Sequence, residues 1–412
     1  MSLLLMAGAP VGARAQVSSP TEDDRFALVG GTAYLSPDAA PLNDAIVLVE
    51  HGRITAIGTR ADTPIPATMR RIDCTGLTIT SGFWNSHVHF TQPFWENAAA
   101  GNVDSLETHL RMMLLRYGFV RVMDTGSYLM NTLALERRIE RGEVRGPMIL
   151  TTGSGFAAQG GSPYYLRPNR LPEFTSATEA DSIVRADIRA GANAIKLFTG
   201  SWATESTVVV IPDSEVRAAV AAAHALGKLV FAHPSNSAGV NAAIAGGVDV
   251  LAHTFPSMEH DRWDRTIPGR MHRAHMALIP TLKLWKYEAL KFGADSAQIA
   301  ARIGYAQDQL HAFRAEGGDV LFGTDVGYMT DYDTSDEYRY MAGAGMSFRD
   351  LLRALTVAPA ARLGGGKLSG TLERGGVADI TVLAGDPSRD LGAFSQVRYA
   401  IGRGRMLYDG TH

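Results

Sequence analysis

Leu229-Val230-Phe231-Ala232-His233 and, after an alanine-rich stretch over 237–245, Val248-Asp249-Val250-Leu251-Ala252-His253 decide how this chain is read. Each is a short apolar run that ends on a histidine, too short for a helix and long enough for a buried strand. The alanine-rich stretch between them, and another at 215–226, read as helices, so strand, helix and strand follow as parallel βα units. The rhythm extends outward in both directions. Apolar runs at 77–83, 119–123, 148–152, 194–198, 229–232, 248–252, 277–281 and 320–322 give eight strands. Eight such units close into a (β/α)8 TIM barrel within an α/β fold.

The ends of the chain follow a different pattern. Ala45-Ile46-Val47-Leu48-Val49 and Arg53-Ile54-Thr55-Ala56-Ile57-Gly58 are strand-like and flank the turn-like His51-Gly52. Past Leu363 the helical rhythm stops, and 378–383, 397–401 and 405–408 again read as strands. Neither end is long enough to fold well alone, so residues 25–80 and 365–412 are expected to join into a small β-sandwich beside a barrel of residues 81–364.

Composition narrows the partners. With 412 residues and 46% hydrophobic content the chain can bury a large core. A net charge of −3 and a pI near 6.5 supply no basic field for nucleic acid and no polybasic membrane patch. A small-molecule substrate is expected, and a homo-oligomer stays open. Cys74 is the only cysteine, which excludes an intrachain disulfide and leaves nitrogen and oxygen as metal ligands. Residues 3–11 are short and mostly apolar, and Ala13-Arg14-Ala15 before Gln16 resembles a cleavage site. Residues 1–20 therefore read as a signal-peptide remnant or a tail. Export to the periplasm or secretion is the expectation, with a cytoplasmic location as the alternative. No stretch approaches the ~18 to 20 apolar residues of a membrane span.

Chemistry concentrates where the apolar runs end. His87 and His89 in Asn85-Ser86-His87-Val88-His89 are two apart, so on an extended strand both side chains share one face. His233, His253 and Asp325 each close an apolar run, at the rim where barrel active sites lie. Lys196 stands inside Ala194-Ile195-Lys196-Leu197-Phe198, where an unpaired ammonium would be costly. A salt bridge to a carboxylate is one explanation. Carbamylation, which turns the neutral amine into an anionic ligand able to bridge two cations, is the other and is favoured. Together these six residues suggest a metal-dependent hydrolase.

With these residues in place the chain resembles the amidohydrolase superfamily, in the binuclear subgroup that includes imidazolonepropionase-like and prolidase-like hydrolases. The resemblance is carried by Ser81-Gly82-Phe83 before the His-x-His, Ala245-Gly246-Gly247-Val248-Asp249, Gly323-Thr324-Asp325, Thr356-Val357-Ala358-Pro359-Ala360, and Gly370, Gly375 and Ala378-Asp379. It implies two divalent metal ions, with zinc expected. His87, His89 and Asp325 would hold one, His233 and His253 the other, and carbamylated Lys196 would bridge both. It further implies a metal-bridging hydroxide as nucleophile and Asp325 as the catalytic proton shuttle. The expected reaction is cleavage of a peptide-like amide in a dipeptide or N-acyl amino acid. A cyclic amide, a lactone or a carbamate is the alternative at the same site, and a mononuclear deaminase is a more distant one.

Two departures touch specificity. Thr151-Thr152-Gly153-Ser154-Gly155-Phe156 replaces the Gly-Gly-His common after strand three in prolidase-like relatives, and Pro234 follows His233 where alanine is usual. Ser154, Tyr164, Arg167, Trp202 and Tyr328, on or beside the long loops 156–174, 200–212 and 326–340, are the candidate substrate contacts. An aromatic pocket with an arginine for a carboxylate would suit an amide of this kind. Asp124, at the end of strand two, is a candidate partner of the ligands. His224, His272, His275 and His311 fall in predicted helices and read as surface or packing residues.

Overall fold

The computed structural model describes residues 25–254, 263–364, 366 and 369–411. The apolar N-terminal run and its cleavage-site-like tripeptide lie outside them. Among the described residues no helix is long and apolar enough to cross a membrane.

Seven parallel strands carry the site. Strands β1 (Phe83–Val88), β2 (Phe119–Asp124) and β3 (Met148–Thr151) form one sheet, and β4 (Ile195–Leu197), β5 (Val230–Ala232), β6 (Val250–Ala252) and β7 (Ala277–Ile279) form another. Single parallel bridges reach beyond these sheets, from Phe156 to Leu197, from Leu278 to Val320 and from Val88 to Val326. Helices alternate with the strands, among them Val103–Met113, Leu129–Glu140, Ala177–Ala190, Asp213–His224 and Ser237–Gly246. Six of the seven strands are buried throughout, as sheets covered by helices require, and β3 alternates buried with half-buried residues. The result is a mixed α/β fold in which every connection returns the chain in the same direction, so the strand C-termini share one edge.

Two expected strands differ from the sequence reading. The run at 77–83 is divided between Thr78–Ser81, which pairs with Ile380–Leu383, and the start of β1. The chain crosses from one sheet to the other at Gly82. A Cβ there would lie 2.4 Å from Val120 Cγ2, and the Gly82 amide is taken by Asp379 O. Hydropathy cannot register that crossing because both strands are apolar. The run at 320–322 forms no named strand; its amides and carbonyls are shared singly, Leu321 N with Leu278 O and Phe322 O with Ser86 N.

The terminal segments join in one eight-stranded sheet. Its order is Arg405–Asp409, Val397–Gly402, Ile380–Leu383, Thr78–Ser81, Arg25–Ala33, Leu42–Glu50 and Arg53–Thr59, and Arg70–Asp73 also pairs with Arg25–Ala33. Where a sandwich of two sheets was expected, the strand Arg25–Ala33 pairs along one flank first with Arg70–Asp73 and then with Thr78–Ser81, so a single ladder branches. His51 and Gly52, both at positive φ, make the two-residue turn whose twist suits a hairpin. Alternation gives the sheet two apolar faces, Phe26, Leu28, Val47 and Val49 on one and Ala27, Val29, Ile46 and Leu48 on the other. A buried ion pair, Arg121 Nε to Asp379 Oδ2 at 2.5 Å, fastens this sheet to β2, with the guanidinium 5.3 Å from the Trp84 ring.

Candidate active site

The four histidines assemble at the shared strand edge. Ring centres run His89 to His87 at 5.1 Å, His87 to His253 at 4.7 Å and His253 to His233 at 4.8 Å. His87 is at the end of β1, and His233 and His253 directly follow β5 and β6. Asp325 closes the cluster, with Oδ1 2.9 Å from His89 Nε2 and 3.3 Å from His87 Nε2, while the two Nε2 atoms are 3.2 Å apart. Among the described residues these three form the group whose ligand atoms all lie within 4.8 Å of one another.

The backbone at this edge is unusual. Ser235, His253, Thr281 and Asp325 have φ of 49°, 73°, 45° and 62°, a left-handed region that residues other than glycine rarely enter. Such conformations persist where the surroundings over-determine them, and their clustering marks a functional edge. Hydrogen bonds supply the restraint. Asp325 N donates to His87 O at 2.9 Å and His89 N to Val326 O at 2.8 Å, which locks the segment after 320–322 onto β1. Asn85, fully buried, donates to Thr324 Oγ1 at 2.6 Å and accepts from the amides of Thr324 and His87. At Gly327 a Cβ would sit 1.9 Å from His89 O, so only glycine allows this approach.

Three of the four imidazoles are oriented by a second nitrogen, and His87 Nδ1 is buried with no hydrogen-bond partner among the described residues. His89 Nδ1 meets Gly126 O at 2.9 Å, His253 Nδ1 meets Thr281 Oγ1 at 2.7 Å, and His233 Nε2 meets Ser235 Oγ at 3.1 Å. Asp124 holds the loop that presents Gly126 O, accepting from the hydroxyls of Ser127 (2.6 Å), Thr151 (2.7 Å) and Thr132 (3.1 Å). Burial raises its carboxyl against these hydrogen bonds.

The electrostatics favour a cation. Burial, aided by the nearby Lys196 charge, pushes His87 and His233 down to about 3, and burial sends His253 well below its ordinary value. These rings are neutral at pH 7, the form that ligates metal. Burial would raise Asp325, but the surrounding imidazoles outweigh it and hold the carboxyl well below the usual range. Burial opposes protonation of His89, and the Asp325 carboxylate overcomes it. Two imidazole nitrogens and a carboxylate oxygen converging on one point are a donor set that fits a divalent metal cation.

Lys196, in the middle of β4, is 1% exposed. Among the described residues no carboxylate comes within ion-pairing distance of it; Asp325 and Asp124 act on it only through space, and Nζ lies 5.9 Å from the Phe198 ring centre. Burial therefore dominates and pushes the amine down to about 7.

The remaining candidates are spread around the edge. Ser154 sits in the turn after β3 between Gly153 and Gly155, both at positive φ. Tyr164 belongs to a short 3-10 turn and packs edge-on to Tyr165 at 5.7 Å, and Tyr165 in turn meets Tyr328 at 5.8 Å. Tyr328 donates to Glu288 at 3.0 Å. Arg167 is exposed and reaches Ala203 O at 3.5 Å, and Trp202 ends the short strand Gly200–Trp202. Of the other histidines, His224 pairs with Asp249 and His311 reaches Ala344 O, while His275 falls just past the helix Ile267–Arg273 that carries His272. The sequence reading missed Asn85, Thr281 and Trp285. The Trp285 ring is 6.2 Å from His253 and its indole N–H donates to Thr254. Only Asn85 had a signal, as a polar residue inside an apolar strand.

The chain matches the amidohydrolase family over residues 78–403. The ochratoxinase of Aspergillus niger is 22% identical over 96% of this chain and 89% of its own length. Among solved structures, a putative prolidase from Bifidobacterium longum has a TM-score of 0.78 at 26% identity, covering 93% of this chain and 94% of that one. A Xaa-Pro dipeptidase with bound methionine superposes at 0.80 with 21% identity, over 94% of this chain and all of that one. Agreement of this extent, over the stretch that bears every residue of the cluster, means that the chain belongs to the amidohydrolase family and is an enzyme acting on C–N bonds.

Proposed function

We propose that this enzyme is a binuclear metal-dependent hydrolase of peptide-like amides, with a dipeptide or an N-acyl amino acid as substrate. The observation that carries the reading is the convergence of His87 Nε2, His89 Nε2 and Asp325 Oδ1, with the His253 and His233 rings continuing the same cluster. Neighbours named as a prolidase and a Xaa-Pro dipeptidase support the dipeptide. In this reading residues 81–364 close as a (β/α)8 barrel, with 25–80 and 365–412 as its accessory β unit. His87, His89 and Asp325 would hold one zinc ion and His233 and His253 the other.

Lys196, its neutral amine converted by carbon dioxide to a carbamate, would serve as a ligand shared by both ions. Its burial without a paired carboxylate supports this, since a carbamate converts a costly cation into a needed anion. When bound, such ions lower the pKa of water and polarise a carbonyl. Asp325 does the proton work. Oδ1 faces the two imidazoles, and Oδ2 takes the proton of the attacking water and passes it to the leaving nitrogen as the C–N bond breaks. The tyrosines at 164, 165 and 328 line the approach and receive the apolar side of the substrate.

Metal analysis of the purified protein, together with a panel of dipeptides, N-acyl amino acids and lactones, tests the reading. Two zinc-like ions per chain and turnover of amides are expected. A protein that binds no divalent ion, or that turns over lactones alone, would overturn it.

A further inference from the structure

We propose that Thr281 and Glu337 are positioning residues for His253, fixing which ring nitrogen it offers to a cation. The inference rests on the reading of His253 as a ligand. Thr281 is fully buried, and its hydroxyl touches both Pro280 O, at 2.9 Å, and His253 Nδ1, at 2.7 Å. A hydroxyl has one proton, and a carbonyl can only accept. With the Thr281 proton donated to Pro280 O, which also accepts from the amide and hydroxyl of Thr254, the contact with His253 uses the Nδ1–H of the imidazole. That leaves the lone pair on Nε2, so the hydroxyl selects the tautomer.

Thr281 does this from a strained backbone. Its φ of 45° is a conformation that a β-branched residue adopts only when its surroundings impose it. The imposition comes from the next two residues. The amides of Leu282 and Lys283 open the helix Leu282–Lys291 and donate to the two oxygens of Glu337, at 2.9 and 2.7 Å. Glu337 is fully buried on the helix Ser335–Gly343, where a carboxylate suits two helix-opening amides. Lys283, also buried, sends Nζ the other way, to the Asp331 carboxylate at 2.8 Å and to the carbonyls of Asp331 and Asp333. The pair thus clamps the end of β7 to the loop that follows Asp325, and Thr281 is the residue caught between the clamp and the imidazole.

The experiment uses metal-free full-length protein titrated with Zn2+ against a chromogenic chelator, with thermal unfolding of each variant. Thr281→Val should weaken the second zinc by about 10- to 100-fold, and Thr281→Ser, which restores the hydroxyl, should bind like the wild type. Glu337→Gln should lie between them, and it carries the test if Thr281→Val does not fold. Wild-type affinity for both ions in folded Thr281→Val, or in Glu337→Gln where that variant decides, would overturn the inference. His253→Ala separates the two levels. If it also keeps both ions at wild-type affinity, the reading of His253 as a ligand is what fails.

Discussion

The two halves of the histidine cluster are built differently. His87, His89 and Asp325 touch one another directly, and their backbones are cross-linked by Asp325 N to His87 O and His89 N to Val326 O. Lys196, His233 and His253 come from three neighbouring strands, and each of the two histidines leans on a separate hydroxyl. Among the described residues Lys196 leans on none. In the first half the Asp325 carboxylate sits against both imidazoles and raises the pKa of His89. The second buries an amine that, among the described residues, Asp325 and Asp124 reach only through space. One half is thus preorganised by the fold, and the other waits on chemistry at the lysine.

The sharpest way to break this comparison is at the residue the first half is built around. Asp325→Asn preserves shape and should bind metal while kcat falls by about 10²- to 10⁴-fold, as loss of a general acid and base requires. Metal content and steady-state rates on a dipeptide check it, and equal rates would remove Asp325 as the shuttle.

In the second half the expected effect has the opposite sign for stability. Unfolded, Lys196 keeps its proton to about 10.5; folded and metal-stripped, it keeps it only to about 7. Between those values the unfolded chain binds more protons, so the stripped protein gains stability as pH rises from about 7 and is penalised fully below it. Lys196→Met should remove that slope and stabilise the stripped protein at pH 6 by about 4 kcal/mol as an order of magnitude. Urea melts at pH 6 and pH 9 decide the matter; an unchanged slope would mean that another group carries it.

Smaller changes probe how the first half is held. Gly327→Ala puts a Cβ against His89 O at a φ of 100°, and should cost about 3 kcal/mol with loss of the first ion. Asn85→Ala leaves Thr324 without its partner and should cost about 1 to 3 kcal/mol. Thermal unfolding with zinc titration reads both. If either variant weakened only the second ion, the halves would not be separate units.

Much of this was legible because local pattern carried it. Short apolar runs separated by alanine-rich helices gave the parallel strands, and a polar residue at the end of each run gave the cluster. Lys196 was visible as a charge where burial is costly. The run at 77–83 misled because the crossing at Gly82 depends on Val120 and Asp379, which are distant in sequence. Thr281 and Glu337 carried no signal, because a threonine after an apolar run and a glutamate in a helix are ordinary until folding brings them to His253 and to the amides of Leu282 and Lys283.

The sequence by itself determined the βα repeat, the polar residues that end its strands and the membership that those residues imply. These follow from periodicity and residue type, which each short segment expresses alone. The tertiary structure decided which groups each imidazole faces, which residues hold a left-handed backbone at the strand ends, and how the terminal strands share one ladder. Those properties arise from contacts between segments far apart in the chain, such as Asn85 with Thr324 and Ile380 with Ser81, and no local pattern encodes a contact whose partner lies 239 residues away.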